Sequence, residues 1–166
     1  MVVLGIDPGY AIVGYGAIEY CNGIYHVMGY GAIETSAQQK FDVRLEQIYN
    51  EMNGVIDRSK PDVLSIEKLY FQNNQKTAID VAQARGVILL SARQKGIPIY
   101  EYTPLEVKTA VTGYGQAKKP QVMKAIKSRL KLEQMPRLDD TADALAIAMC
   151  YIQYNGTMLK KYLNQL

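Results

Sequence analysis

The first 34 residues predict three consecutive β-strands, which restricts the possible folds more than any other feature of the chain. An apolar strand ends at Asp7, and two more strand-like segments follow at 11–20 and 23–34. Asn22-Gly23 lies between these two segments, and this dipeptide favours a tight hairpin between antiparallel strands. The chain is therefore expected to begin with a small antiparallel sheet.

A short internal repeat lies within the predicted hairpin. The sequence Gly-Tyr-Gly-Ala-Ile occurs at 14–18 and again at 29–33. A single five-residue copy in each strand is too short to indicate a repeat architecture. We interpret the two copies as paired strands that meet one packing requirement, with glycines that permit close backbone contact.

Helices and strands alternate along the rest of the chain. Amphipathic spacing predicts a helix at 41–59, and a buried strand follows at 63–67. Gly86 lies inside the next predicted helix, where glycine costs about 1 kcal/mol relative to alanine and so indicates a close packing contact. This order of elements predicts an α/β fold with a mixed five-stranded sheet flanked by helices. The other predicted elements are a helix at 77–94, a strand at 97–102 and helices at 104–113, 120–132 and 140–154.

The start of one short helix is clearly marked. Thr103 suits the N-cap, Pro104 suits the first helical position and Glu106 completes a capping box. Gly113 is expected to end this helix.

Four carboxylates spread along the chain are the candidate catalytic residues. Asp7 and Glu67 end two apolar strands, while Asp140 and Asp143 lie three residues apart at the start of a helix. Crowded carboxylates repel one another and raise their own pKa values, so a fold that gathers them needs bound cations. Hard oxygen ligands suit Mg²⁺ or Mn²⁺, and two such ions about 3.5–4 Å apart can direct water onto a phosphodiester. The pattern predicts a metal-dependent nuclease.

Each of these carboxylates also has a purely structural explanation. An Asp before Pro-Gly is common in turns, and Glu67 could be a solvated strand end. Asp140 and Asp143 could stabilise the dipole of their helix, although positions i and i+3 also share a face and could address the same ions. Asp139 could be the N-cap of that helix, so its role stays open.

Basic residues concentrate just before the Asp pair. From Lys108 to Lys131 the chain has seven Lys or Arg residues and no acidic residue, which suits a polyanion held above a metal centre. Lys118 and Lys119 enter a helix from a glycine-containing loop, so both could contact phosphate, although surface lysines are usually only solvated. Tyr70 could stack on an unpaired base.

Composition limits the other possibilities. At 166 residues, with 48% apolar and 21% charged residues, the chain suits one domain, which we place at 1–154 with a tail at 155–166. Two cysteines without metal-ligand spacing favour a reducing cytoplasmic location, and a single histidine is insufficient for a zinc site. No apolar run is long enough to span a membrane, so no membrane association is expected.

Several short motifs extend over nearly the whole chain. They are Leu4-Gly5-Ile6-Asp7-Pro8-Gly9, Gly14-Tyr15-Gly16, Ile66-Glu67, Gln83-Ala84-Arg85-Gly86, Val107-Lys108, Gly113-Tyr114-Gly115 with Lys119, and Asp140-Thr141-Ala142-Asp143-Ala144-Leu145-Ala146. In their residues and in their order, these motifs resemble the RuvC family of Holliday junction resolvases, which are crossover junction endodeoxyribonucleases.

This resemblance implies an RNase H-like fold, a homodimer and Mg²⁺-dependent paired nicking at four-way DNA junctions, leaving 5′-phosphate and 3′-hydroxyl ends. Two-fold symmetry would place two active sites on two strands. The family's lysines near the scissile phosphate fall on Lys108 and Lys119, and its base-contacting aromatic falls on Tyr70. The family's four metal-binding carboxylates fall on Asp7, Glu67, Asp140 and Asp143.

Other interpretations stay open at this point. Tyr70-Phe71 stands where the family commonly has Phe, which leaves base contacts and sequence preference undecided. Bacterial relatives work with RuvA and RuvB, whereas a phage-encoded relative could act alone on several branched DNAs. A nuclease for forks and flaps, or a non-catalytic branched-DNA binding module, are the alternative functions. Actin-like ATPases begin similarly but require two such domains, for which the chain is too short.

Overall fold

The computed structural model describes residues 1–69 and 75–163, with side chains described at 1–69 and 77–155. Tyr70, one of the predicted DNA contacts, lies outside the described residues. The elements are β1 (Val2–Asp7), β2 (Ile12–Cys21), β3 (Ile24–Glu34), α1 (Phe41–Ser59), β4 (Val63–Glu67), α2 (Gln75–Gln94), β5 (Ile99–Tyr102), α3 (Pro104–Thr112), α4 (Lys119–Arg129) and α5 (Asp139–Leu163).

The strands form a mixed five-stranded sheet with the order β3-β2-β1-β4-β5, as predicted. β1, β2 and β3 pair antiparallel, whereas β4 is parallel to both β1 and β5. The hairpin turns at Asn22 and Gly23, whose φ angles of 51° and 85° are both left-handed. Positive φ at both positions is typical of the type I′ turn, whose twist suits antiparallel strands.

Helices cover both faces of the sheet. α1 and α2 pack on one face, where Leu4, Ile6 and Leu64 point into a continuous apolar core. α3, α4 and α5 cover the other face, where Val3 and Ile18 of the sheet meet α5. Because side chains alternate along a strand, Gly5, Asp7, Ser65 and Glu67 all belong to the α5 face.

α5 lies unusually close to the sheet because glycines leave room for it. A Cβ placed on Gly5 would lie 2.0 Å from the carbonyl oxygen of Ala144, and one on Gly16 would lie 2.7 Å from the Leu145 side chain. In the second copy of the repeat, a Cβ on Gly31 would meet the Tyr15 hydroxyl, and one on Gly29 would have no described atom within 4 Å. The predicted close contact is therefore confirmed for the first copy, but the two copies do not meet the same requirement.

Several element boundaries differ from the prediction. α4 begins at Lys119 rather than Pro120 and ends at Arg129, because Lys131 takes a left-handed φ of 52°. β5 begins two residues late, after the left-handed Gly96 and a hydrogen bond from Ile97 N–H to the carbonyl of Ala92. The capping box of α3 and its left-handed end at Gly113 are confirmed.

Two predictions about helices are wrong. Gly86 marks no close packing contact, since a Cβ there would meet no described atom within 4 Å. α5 extends to Leu163 instead of ending near Tyr154. The helix continues past Asn155, whose side-chain amide donates hydrogen bonds to the Tyr102 hydroxyl and to the carbonyl oxygen of Tyr151. The division into a domain at 1–154 and a tail at 155–166 stays a prediction.

Two further expectations concern cysteines and membranes. Cys21 and Cys150 are both free thiols, the first exposed and the second buried. Among the helices in the described part of the chain, none is both long and apolar enough to cross a bilayer.

Candidate active site

Two of the predicted carboxylates lie at the ends of adjacent parallel strands. β1 and β4 are paired from Val3 with Val63 to Ile6 with Ile66, so Asp7 and Glu67 follow directly on neighbouring strands. Both point to the α5 face, and both are partly buried. Rigid strands thus deliver two carboxylates to one edge of the sheet.

The start of α5 brings the other two carboxylates to the same edge. Gly14 is the β2 partner of Asp7, and a Cβ on Gly14 would lie only 2.1 Å from the carbonyl oxygen of Asp140. The Ser65 hydroxyl donates to the carbonyl of Ile147 at 2.8 Å, which ties the middle of the helix to β4. Close contact at Gly14 and this buried hydrogen bond together set the position of Asp140 and Asp143.

A cavity of about 230 Å³ lies where these elements meet. Asp7, Glu67 and Asp143 line it, together with Lys108 and Lys119. Asp140 does not line the cavity, yet its charge acts on both Asp7 and Asp143. A larger groove of about 920 Å³ lies between α3, α4 and α5, but none of its lining residues is acidic, so it lacks the chemistry of the predicted site.

Burial and mutual repulsion alter the proton affinity of the site. Burial raises the pKa of the Asp7 carboxyl to about 8, and the charges of the three other carboxylates add to the effect. Burial also raises the pKa of Glu67 and of Asp143, against the opposing charges of Lys108 and Lys119 respectively. Burial is thus the main cause of the raised pKa values, and repulsion from neighbouring carboxylates adds to it.

The predicted lysines divide into two groups. Lys108 and Lys119 face the cavity, whereas Lys118 is exposed at the N-cap of α4 and does not line it. The Lys119 ammonium lies 3.3 Å from a carboxylate oxygen of Asp143 and 3.0 Å from one of Asp139. Although burial lowers the pKa of Lys119, these two carboxylates raise it overall.

The donor set fits a hard divalent cation. Such a cation prefers carboxylate oxygens, and the cavity is lined by three carboxylates, with the charge of Asp140 also acting on Asp7. Within the part of the chain that the structure describes, no three acidic, histidine or cysteine side chains stand in metal-holding geometry.

Two residues near the site were not identified from the sequence as having a role there. Arg85 of α2 donates to the carbonyl of Glu67 at 3.4 Å and pairs with Glu101 at 2.5 Å, so it joins α2 to the ends of β4 and β5. Asp139 is the first residue of α5 rather than the residue before it, and it pairs with Lys119. Both contacts join residues distant in sequence, which leave no local pattern.

The sheet order, the carboxylates at its edge and the two lysines define an RNase H-like nuclease. The sequence from 3 to 151 matches the family model of the crossover junction endodeoxyribonuclease RuvC. The chain belongs to the RuvC family.

Relatives from bacteria are similar over almost the entire chain. The RuvC of Caldicellulosiruptor saccharolyticus is 51% identical over 160 residues, which cover 96% of each chain. That of Finegoldia magna is 49% identical over 166 residues, which cover 100% of this chain and 99% of the relative. A structure of Thermus thermophilus RuvC in complex with Holliday junction substrate is 32% identical, with a TM-score of 0.90, and covers 95% of this chain and 96% of that one.

Proposed function

We propose that this chain resolves four-way DNA junctions by paired, symmetric, cation-dependent nicking that leaves 5′-phosphate and 3′-hydroxyl ends. The observation that carries the proposal is one cavity lined by Asp7, Glu67 and Asp143 together with two lysines. Anionic and cationic groups in one cavity suit a site that holds divalent cations and a phosphodiester together. The similar Thermus structure in complex with a Holliday junction supports junction DNA as the substrate.

Asp7, Glu67, Asp140 and Asp143 are the proposed ligands of two Mg²⁺ ions, for which Mn²⁺ could substitute. When bound, the ions supply an activated water and stabilise the leaving oxygen. Glu67 lies beside Asp7 on the neighbouring parallel strand and is proposed to serve both ion sites. Because Asp7 has a pKa of about 8 without cations, cation binding must also displace its proton below that pH.

Lysines are proposed to hold the scissile phosphate above the carboxylates. Lys108 and Lys119 line the cavity from α3 and α4, so their ammonium groups can neutralise a phosphate that enters it. Lys118 is exposed beside Lys119 and is proposed to contact the DNA backbone outside the cavity. Tyr70 stays a proposed base-stacking residue.

A homodimer is proposed to form through an exposed stripe of α2. Ile79, Gln83, Gly86, Leu90 and Arg93 recur every three or four residues and all face away from the sheet. Ile79 and Leu90 are large exposed apolar residues on this stripe. The space above Gly86 would allow a second copy of the helix to pack closely. A two-fold axis there would relate two active sites, as symmetric nicking requires.

The dimer is tested by sedimentation velocity over a range of concentrations. We expect Leu90→Glu to shift the protein to monomer, because it places a charge on the proposed interface. Ile24→Glu is the matched control, since Ile24 is equally exposed, at 52% against 51%, but lies on the hairpin. A dimer of unchanged stability in the Leu90 variant would contradict the assignment.

We further propose a cytoplasmic location and the kind of partner with which the protein acts. A DNA substrate and free thiols support a cytoplasmic protein. RuvA- and RuvB-type branch-migration proteins are proposed partners if the chain acts in a bacterial cell, whereas a phage-encoded protein would act alone. Co-purification with a four-way junction in the presence and absence of those proteins separates the two cases.

The central experiment mixes the protein with end-labelled DNA in Mg²⁺ or EDTA. The substrates are an immobile four-way junction, a fork and a linear duplex of the same sequence. We expect paired nicks in the junction only, in Mg²⁺ only, and with ends that a ligase can reseal. Equal cutting of the fork would favour a broader branched-DNA nuclease, and binding without nicks would favour the non-catalytic module.

Asp7→Asn tests the assignment of the site. We expect it to bind the junction but to lose about 10²–10³-fold or more in nicking rate, as removal of one preorganised polar group that stabilises the transition state commonly does. Asp57→Asn is the matched control, because Asp57 is exposed and pairs with Lys95 away from the cavity. Full nicking by the Asp7 variant would show that the catalytic site lies elsewhere.

A further inference from the structure

The Lys119 ammonium is shared between two carboxylates of the same helix. It lies 3.0 Å from Asp139 and 3.3 Å from Asp143. Lys119 is the first residue of α4, and both aspartates belong to the first two turns of α5. We call this group of three side chains the Lys119 clasp.

The two carboxylates of the Lys119 clasp have different surroundings. Asp143 lines the cavity and is 38% exposed, whereas Asp139 lies outside the cavity lining and is 68% exposed. A cation in the cavity can therefore compete with Lys119 for Asp143 but has no comparable access to Asp139. Lys119 can therefore keep its ion pair with Asp139 when a cation enters the cavity.

We propose that Asp139 is a positioning residue, which retains the Lys119 ammonium beside the cavity when a divalent cation takes the Asp143 carboxylate. The inference rests on the proposed function of the cavity as a cation site. Without Asp139, the ammonium would have Asp143 as its one clasp partner, and each cation would have to displace it from there. Asp139 thus lowers the cost of cation binding and keeps Lys119 near the position of the phosphate.

Asp139 could also favour cation binding through its negative charge alone, and this effect can be distinguished from the positioning of Lys119. Asp139 also adds a negative charge at the start of α5, which attracts any cation and stabilises the helix dipole. Those contributions do not depend on the side chain at position 119. The positioning role requires Lys119, so the effect of changing Asp139 must disappear when Lys119 is also changed.

A double-mutant cycle separates the two explanations. Mn²⁺ binding is measured by calorimetry, without DNA, for the parent chain, Asp139→Asn, Lys119→Gln and the double variant in 0.15 M salt, about the physiological ionic strength. Asp139→Glu tests rescue, since it retains the charge. Asp57→Asn is the control for loss of an exposed, lysine-paired carboxylate elsewhere.

We expect Asp139→Asn to weaken Mn²⁺ binding about three- to fivefold in the parent, the upper range for an exposed ion pair. In the Lys119→Gln background the same change should have little effect, and Asp139→Glu should bind almost like the parent. Equal weakening in both backgrounds, or none in the parent, would overturn the positioning role while leaving the cation site intact. Failure of the parent to bind Mn²⁺ would overturn the proposed cation site itself and the inference with it.

Discussion

The two faces of the sheet meet their helices in different ways. On the α1 and α2 face, large apolar side chains such as Leu64 and Ile66 fill the space between sheet and helix. On the α5 face, Gly5 and Gly14 have no side chain, so the backbone of α5 lies directly against the backbone of the strands. Both faces bury apolar side chains, but on the α5 face the glycines also fix where the start of the helix lies. The carboxylates occur on the face where these glycines bring helix and strand backbone into contact.

Filling the space at Gly14 should lower both stability and nicking, the largest combined effect expected in this comparison of the two faces. Gly14→Ala places a Cβ only 2.1 Å from the Asp140 carbonyl oxygen, so α5 must move away from β2. We expect the free energy of unfolding to fall by about 1–3 kcal/mol through overpacking. Displacement of Asp140 and Asp143 by about 1 Å should reduce junction nicking roughly 10²-fold. Denaturant unfolding and nicking assays measure both effects.

The repeat provides a matched control for this substitution. Gly29 occupies the position in the second copy that Gly14 occupies in the first, and a Cβ there meets no described atom within 4 Å. Gly29→Ala should change the free energy of unfolding by no more than about 0.5 kcal/mol and leave nicking intact. Similar results for the two variants would show that close packing of α5 does not position the site.

The opposite face should respond in stability alone. Leu64 is fully buried on the α1 and α2 face, so Leu64→Ala should lower the free energy of unfolding by about 2–5 kcal/mol. Because Leu64 points away from the cavity, the nicking rate of the folded fraction should be nearly unchanged. Parallel measurements of unfolding and single-turnover nicking test the separation. If fully folded Leu64→Ala protein lost most of its nicking activity, the two faces would not differ in the way proposed.

Burial of the Asp7 carboxyl, together with the neighbouring carboxylate charges, should make the cation-free protein less stable at high pH. Asp7 has a pKa of about 8 in the folded chain and about 4 when unfolded, so the folded state holds the proton more tightly. The free energy of unfolding therefore falls as pH rises from about 4 through 8. In EDTA, Asp7→Asn should lessen this fall and be more stable than the parent at pH 9, by up to about 5 kcal/mol, since each unit of raised pKa is equivalent to about 1.4 kcal/mol.

Denaturant unfolding at pH 4, 7 and 9 measures this dependence in both proteins. Mg²⁺ should stabilise the parent most at high pH, where the carboxylates are ionised and repel one another. Identical pH dependence in the parent and in Asp7→Asn would show that the Asp7 carboxyl is not the group responsible.

The smallest effect is expected at Arg85, a residue of α2 that donates a hydrogen bond to the backbone carbonyl of Glu67. Arg85→Gln removes its pair with Glu101 and weakens its contact with the Glu67 carbonyl. We expect about 10-fold slower nicking, the lower range for residues that orient metal ligands, with a loss in unfolding free energy of about 1 kcal/mol. Lys95→Ala, which breaks the exposed pair with Asp57, is the control and should change neither quantity appreciably.

Local sequence patterns were sufficient for most of the elements. Asn22-Gly23 predicted the hairpin because both residues tolerate positive φ, and Thr103 with Glu106 predicted the start of α3 through a capping box. These features depend on neighbours within a few residues. The same reasoning failed at Gly86, because a helical glycine can face either a close neighbour or open space.

Motif order and residue chemistry also predicted much of the site. Asp7, Glu67 and Asp143 do line one cavity with Lys108 and Lys119, and Asp140 lies close enough to influence two of them. Their metal-binding and DNA-binding roles stay predictions.

The amino-acid sequence by itself determined the order of strands and helices, the residue types available for chemistry and the family to which the chain belongs. Only the tertiary structure decided that the start of α5 packs directly against Gly14 and that Lys119 pairs with both Asp139 and Asp143. It also decided that the last helix continues to Leu163. The physical reason is distance along the chain. Backbone conformation follows from near neighbours, whereas steric fit and charge pairing between remote segments exist only once the sheet has brought them together.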